Sequence, residues 1–105
     1  MAAYILTEEA QRDLREIRDY TFRNFGKQQS RDYLANMRQM LEKIAGMPTM
    51  GLKREEELGA GVYSFPCDSH MIYYIVARQG IAVLAVLHQS RVPVHHLAER
   101  LSKSF

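Results

Sequence analysis

The chain has 105 residues, 47% of them hydrophobic, which is enough for one compact domain over residues 1–105 and too few for a second. Fourteen Lys and Arg against twelve Asp and Glu leave a formal charge of +2, which argues against a protein that lives on broad phosphate contacts. A single cysteine, Cys67, excludes an internal disulfide and suits a reducing, cytoplasmic setting. The opening MAAYILTEEAQRDL reaches charge too early for a signal peptide, and the longest apolar runs, MIYYIVA and IAVLAVLH, are too short to cross a bilayer as helices.

A short strand is expected over about Tyr4 to Leu6. It runs into Thr7, a good helix N-cap, followed by Glu8 and Glu9 where acid favours the first turn. The first helix then shows apolar positions Ala10, Leu14, Ile17, Thr21 and Phe25 at helical spacing. Opposite charges one turn apart, Glu8/Arg12 to Asp19/Arg23, read as a solvated outer face. Gly26 stops that helix, and Tyr33, Leu34, Met37, Met40, Leu41 and Ile44 carry a second one to Gly46 and Pro48. So short a connection predicts an antiparallel helical hairpin.

The segment TMGLKREEELGAG has no period and reads as a surface loop. VYSFPC then looks like an edge strand because Pro66 cannot donate to a ladder. DSH turns into MIYYIVA, and RQG reads as a three-residue hairpin with Gly80 in the left-handed position. The next strand, IAVLAVLH, is apolar at odd and even positions and should be covered on both sides. After Pro93, the stripe Val94, Leu97, Ala98 and Leu101 predicts a short last helix over part of the second face of a four-stranded sheet. The fold class is therefore α+β. Apolar surface on Tyr73, Ile75 or Leu84 should remain for a partner, and Met37 and Met40 on the hairpin suit one that packs flexibly.

All four histidines lie in the second half, where proton chemistry would be expected. His95 and Glu99, one turn apart, supply only half a metal site, so neither metal nor cofactor is expected. Cys67 with His70 nearby could be a nucleophile, although a semi-buried structural thiol is the simpler reading. Tyr63, Phe65, Tyr73 and Tyr74 could stack bases, but no basic residues stand beside them.

In order and local wording the chain resembles the ParE branch of the ParE/RelE toxin superfamily. The resembling text runs from YILTEEAQRDLREIRDYT through NFGKQQSRDYL, LEKIAGMPTMGLKREEEL and GVYSFPCDSHMIYYIV to VLAVLHQSRVPVHHL. The resemblance implies a RelE/ParE-like fold: an N-terminal strand, a helical hairpin, a three-stranded antiparallel meander and a short C-terminal helix. It also implies a cytoplasmic toxin of a two-gene module, neutralised in a hetero-oligomer by a cognate antitoxin whose C-terminal segment wraps it. Operator DNA would be reached only through that antitoxin. ParE-type toxins poison DNA gyrase, whereas RelE-type relatives cut messenger RNA on the ribosome.

Cutting RNA needs a base, an acid and cations for charge building on phosphate. Val62 to His88 contain one basic residue, Arg78, in a turn; Lys53 and Arg54 run straight into Glu55, Glu56 and Glu57; and no tyrosine follows His88. The expectation is a gyrase inhibitor without chemistry of its own. His88 would close the buried strand, giving a ring nitrogen to backbone or carboxylate, and Arg91 would anchor the turn into the last helix. The alternatives are a ribosome-dependent endoribonuclease using His88, Arg91, Lys53 and Arg54, or a non-toxic antitoxin-binding module. Arg91, Arg100 and Lys103, with Phe105, are the expected target-binding residues; Tyr73, Ile75, Leu84, Met37 and Met40 are the expected antitoxin contacts.

Overall fold

Thr7 decides where the chain leaves its first strand. Its Oγ1 accepts the Ala10 N–H at 3.1 Å and caps α1 (Glu8–Phe25), with Glu8 and Glu9 in the first turn. The computed structural model describes residues 3–104, and side chains as far as Leu101. It opens with β1 (Ala3–Leu6), then α1, then α2 (Lys27–Gly46). Gly26 joins the helices at φ +90°, a region that a Cβ disfavours, and still donates its N–H to Phe22 O. The Thr21 and Ser30 hydroxyls hydrogen-bond at 2.8 Å across the hairpin, so the polar residues on its inner side are partnered.

Residues 48–58 depart from the expected loop. They form a 3-10 turn (Pro48–Met50), the two-residue strand β2 (Leu52–Lys53) and one helical turn, α3 (Glu55–Leu58). The cause is tertiary: β2 pairs with Tyr63 and Ser64, and the buried Tyr74 hydroxyl donates to Pro48 O at 2.7 Å and accepts the Gly51 N–H at 3.1 Å. A Cβ on Gly51 would collide with that hydroxyl, so only glycine allows the approach.

β3 (Val62–Cys67), β4 (His70–Ala77) and β5 (Gly80–His88) form the expected meander. With β1 and β2 the sheet has five strands rather than four, in the order β1-β5-β4-β3-β2, and β1 runs parallel to β5. β2 reaches no further than Ser64, so Pro66 sits where β3 is the free edge and its missing N–H costs no ladder bond. Both hairpins have two-residue turns. Cys67 pairs with His70 around Asp68 and Ser69, Asp68 lying at φ +54°, and Ala77 pairs with Gly80 around Arg78 and Gln79. Gly80 is thus the first residue of β5, not a turn residue, and a Cβ there would strike the Ala3 backbone of β1.

Two apolar clusters sit on the two sheet faces. Beneath α1 and α2 lie Met37, Leu41, Ile44, Ile72, Tyr74, Ile81, Val83 and Val86; on the other face α4 (Pro93–Ser104) covers Tyr73, Leu84, Ala85 and Leu87. The inward stripe of α4 is rotated from the expected one: Leu97 is buried and His96, Arg100 and Leu101 half-buried, whereas Val94 and Ala98 face solvent. In α1, Asp13 is buried and Phe25 is exposed. No helix among the described residues is long and apolar enough to cross a membrane.

Candidate functional site

β1 pairs with β5 only as far as Val83, so the rest of that β5 edge faces α1. At the same point the β4–β5 register slips: Tyr73 faces Ala85 and Tyr74 faces Val83, leaving Leu84 as a bulge. The freed backbone groups are taken up by side chains. Asp13 Oδ2 accepts the Val86 N–H at 3.0 Å, and Arg100 donates to both Asp13 oxygens at 2.7 and 3.0 Å and to Leu84 O at 3.1 Å. Arg100, expected as an exposed target-binding cation, is therefore a half-buried clamp between α4, α1 and the bulge.

The bulge also reorients the end of β5. Before it, Ile81 and Val83 face the helical hairpin; after it, Val86 does. His88 follows Val86 by two residues and so lies on that face, opposite His70, with ring centroids 5.5 Å apart and edge to face. His88 Nδ1 accepts the Ser90 N–H at 3.1 Å and meets Ser90 Oγ at 2.8 Å, which leaves Nε2 to carry the proton of the neutral ring. His88 thus ends β5 with Nδ1 on the backbone, one of the two kinds of partner expected of it. His70 Nδ1 lies 2.6 Å from the Tyr33 hydroxyl of α2, which itself accepts the Ser69 N–H. Burial, reinforced by His88, holds His70 below the ordinary imidazole range, and burial raises the Tyr33 phenol. His70, His88 and Ser90, with Asp13 and Arg100, line a groove of about 770 Å³ between α1, the ends of β4 and β5, and the start of α4; exposed Arg91 lines it too.

Lys53 and Arg54 lie elsewhere. They belong to the β2 edge, three strand spacings from β5, and the pairing register sets Lys53 level with Val83, five residues short of His88. At ~4.8 Å between strands and ~3.4 Å per residue, the backbones of Lys53 and His88 are about 22 Å apart. Arg54 is also engaged: it holds Glu57 through two nitrogens at 3.0 and 2.7 Å, donates to Ser64 Oγ at 3.0 Å and lies 5.8 Å over the Tyr73 ring. The four residues of the ribonuclease reading are thus two separate pairs.

The expected antitoxin contacts divide by burial. Met37 is fully buried beneath α2, and Tyr73 and Leu84 are buried beneath α4, so in the isolated chain these three are core; Ile75 and Met40 remain partly exposed. For target binding, Arg91 is exposed, whereas the Lys103 side chain and Phe105 lie outside the described residues. Cys67 is buried, which with nearby Asp68 pushes its thiol up to about 11 and disfavours the nucleophilic thiolate. Tyr73 and Tyr74 are buried on opposite sheet faces and cannot form one stacking platform. No group of three metal-ligating side chains occurs among the described residues.

A second groove, of about 760 Å³, runs along the hairpin beside β1. Leu14, Phe22 and Leu34 line it, and its rim carries Arg15, Arg18, Lys27, Arg31 and Arg38 against Asp32. Phe22 is 54% exposed. Its signal in the sequence is an aromatic ring off the inward stripe, on the charged face of the helix.

The comparisons with known proteins agree with this fold. Residues 4–93 match the family model for the ParE toxin of the type II toxin–antitoxin system parDE. The chain is 35% identical over 102 residues to Toxin ParE of Escherichia coli, covering 96% of this chain and 98% of that protein. It is 34% identical over 97 residues to Toxin ParE1 of Caulobacter vibrioides, covering 92% of this chain and 99% of the relative. In fold it resembles a chain from the chromosomal ParDE TA system of P. aeruginosa, with a TM-score of 0.71 at 18% identity over 84% of this chain and 96% of that one. With the strand, helical hairpin, antiparallel meander and C-terminal helix in place, and the family match spanning nearly all of them, the chain belongs to the ParE toxin family of type II toxin–antitoxin systems.

Proposed function

We propose that this toxin arrests growth by binding and poisoning DNA gyrase, without a bond-making step of its own, and that a cognate antitoxin silences it. The observation that carries the non-catalytic reading is the separation of Lys53 on β2 from His88 at the end of β5, about 22 Å between backbones, too far for one phosphodiester to meet both. Arg54 and Arg100, cations of the kind a charged transition state calls for, each neutralise a carboxylate instead.

The antitoxin's docking site is the groove beside β1. An amphipathic segment with apolar anchors for Leu14, Phe22 and Leu34 and acidic residues for the five-cation rim matches it in shape and charge. The toxin and antitoxin form a hetero-oligomer, and operator DNA is reached through the antitoxin. Gyrase is an intracellular target, so the reading requires a cytoplasmic toxin.

The test is induction of the chain alone in bacterial cells, with DNA and protein synthesis followed by pulse labelling. Arrest of DNA synthesis before protein synthesis agrees with the proposal. Early arrest of translation with cut messenger RNA overturns it in favour of the ribonuclease. For the docking site, Arg31→Glu with Arg38→Glu should weaken antitoxin binding about tenfold or more at low salt, with a smaller loss at high salt. Unchanged binding would remove the groove from the account.

A further inference from the structure

The groove at the end of β5 has no part in antitoxin docking, and the distance of Lys53 from it does not say what it binds; its side chains are arranged as hydrogen-bond donors. Its strongest acceptor is already used: Asp13 receives the Val86 N–H and both Arg100 nitrogens. His88 Nδ1 is taken by the Ser90 N–H, and His70 Nδ1 faces the Tyr33 hydroxyl, so each ring keeps Nε2 for another partner. Around them stand Arg12, Arg23 and Arg91, none of which makes an ion pair among the described residues. Four arginines against two carboxylates leave the lining at a formal +2 with its histidines neutral.

Size and shape narrow the ligand. A volume of about 770 Å³ falls in the range of small-molecule sites. Tyr20 lines the same groove, 56% exposed, two turns and about 10 Å along α1 from Asp13. It adds an aromatic face to a cluster of cations and N–H donors. Forked guanidinium donors and imidazole N–H groups suit a phosphate oxyanion, and an exposed ring suits a base.

We propose that this groove is a nucleotide-binding site, taking the phosphate between His88, His70 and Arg91 and stacking the base on Tyr20. The nucleotide is either free or one unit of a single-stranded nucleic acid; the chemistry of recognition is the same. Burial keeps His70 neutral, so it acts as an N–H donor and not as a fixed charge. The site stands whether or not gyrase is the target, because nothing in its geometry depends on that reading.

The test uses the full chain with ¹⁵N-labelled histidine, titrated with 5′-AMP, adenosine, inorganic phosphate and a ten-nucleotide single-stranded DNA. The His70 and His88 ring resonances are followed alongside affinity. AMP should shift both rings and bind at least about fivefold more tightly than adenosine or phosphate, since it alone carries both recognised parts. Arg91→Gln should weaken it about tenfold with no change in the unfolding midpoint, because that side chain is exposed and makes no ion pair among the described residues. Tyr20→Ala should weaken AMP and leave phosphate unchanged. Tighter, salt-sensitive binding of the oligonucleotide assigns the site to a polynucleotide, and tighter AMP binding assigns it to a free nucleotide; both support the site. Unmoved ring resonances with every probe, affinity insensitive to Arg91→Gln, or phosphate binding as tightly as AMP would each overturn the proposal.

Discussion

The two faces of the sheet are buried by different means. The hairpin face holds a continuous core in which Met37, Leu41, Ile44 and Tyr74 are all fully buried, and α1 and α2 share it along their lengths. The α4 face holds a smaller cluster, to which α4 contributes, among the described side chains, the fully buried Leu97, with Leu101 at its margin. Arg100 also fastens α4, gripping Asp13 on α1 and the Leu84 carbonyl at the bulge. The hairpin face thus rests on the larger packed core and the α4 face on a smaller one reinforced by an ion pair, and Asp13 is where the two are tied together. Local opening is therefore expected to be less costly at α4 than at the hairpin.

Asp13→Ala breaks that tie and should have the largest effect. It strands the Val86 N–H and the half-buried Arg100, at about 3–5 kcal/mol of unfolding free energy by urea denaturation. A loss under ~1 kcal/mol, the range of surface pairs, would mean that the pair does not join the faces. Leu97→Ala should cost about 2–3 kcal/mol through the cavity it leaves. Hydrogen exchange should then quicken in α4 before α2, and uniform quickening would contradict the division.

A smaller effect is expected from pH. His70 titrates below its ordinary value of 6.5 in the folded chain, so the unfolded chain takes up the proton more readily. This contribution is complete above the unfolded value and is lost as pH falls from there through the lower folded value, so the unfolding midpoint should be lower at about pH 5 than at about pH 7.5. His70→Gln should flatten that slope, and an unaltered slope would show that other groups cause it. The smallest effect belongs to Glu57→Gln. Although Glu57 grips Arg54 through both oxygens, it is exposed, and the urea midpoint should stay within error. If it moved as far as the Asp13 variant's, exposure would not be what separates the two pairs.

The element order was legible because each element carries its own period or punctuation: the Thr7 cap, the Gly26 break, and the apolar stripes on α2 and β5. β2 and α3 were not, since a two-residue strand has no period and exists only where Tyr63, Ser64 and Tyr74 meet it. Asp13 was hidden for a related reason. Inside a run of charges it looks solvated, and its partners lie 73 and 87 residues away in the chain. The bulge at Leu84 is equally silent locally, yet it shifts every later side chain of β5 by one face and turns His88 toward His70. A sequence reading could name His88 and Arg91. It could not separate them from Lys53 and Arg54, because that distance is set by strand order.

The most direct test of the account is a cleavage assay with purified DNA gyrase, supercoiled plasmid and ATP, with and without the purified chain. The account predicts covalently trapped, cleaved gyrase–DNA complexes that rise with toxin concentration and disappear when the cognate antitoxin is added first. Gyrase left unaffected at toxin concentrations that arrest growing cells, with messenger RNA cut in those same cells, would contradict it.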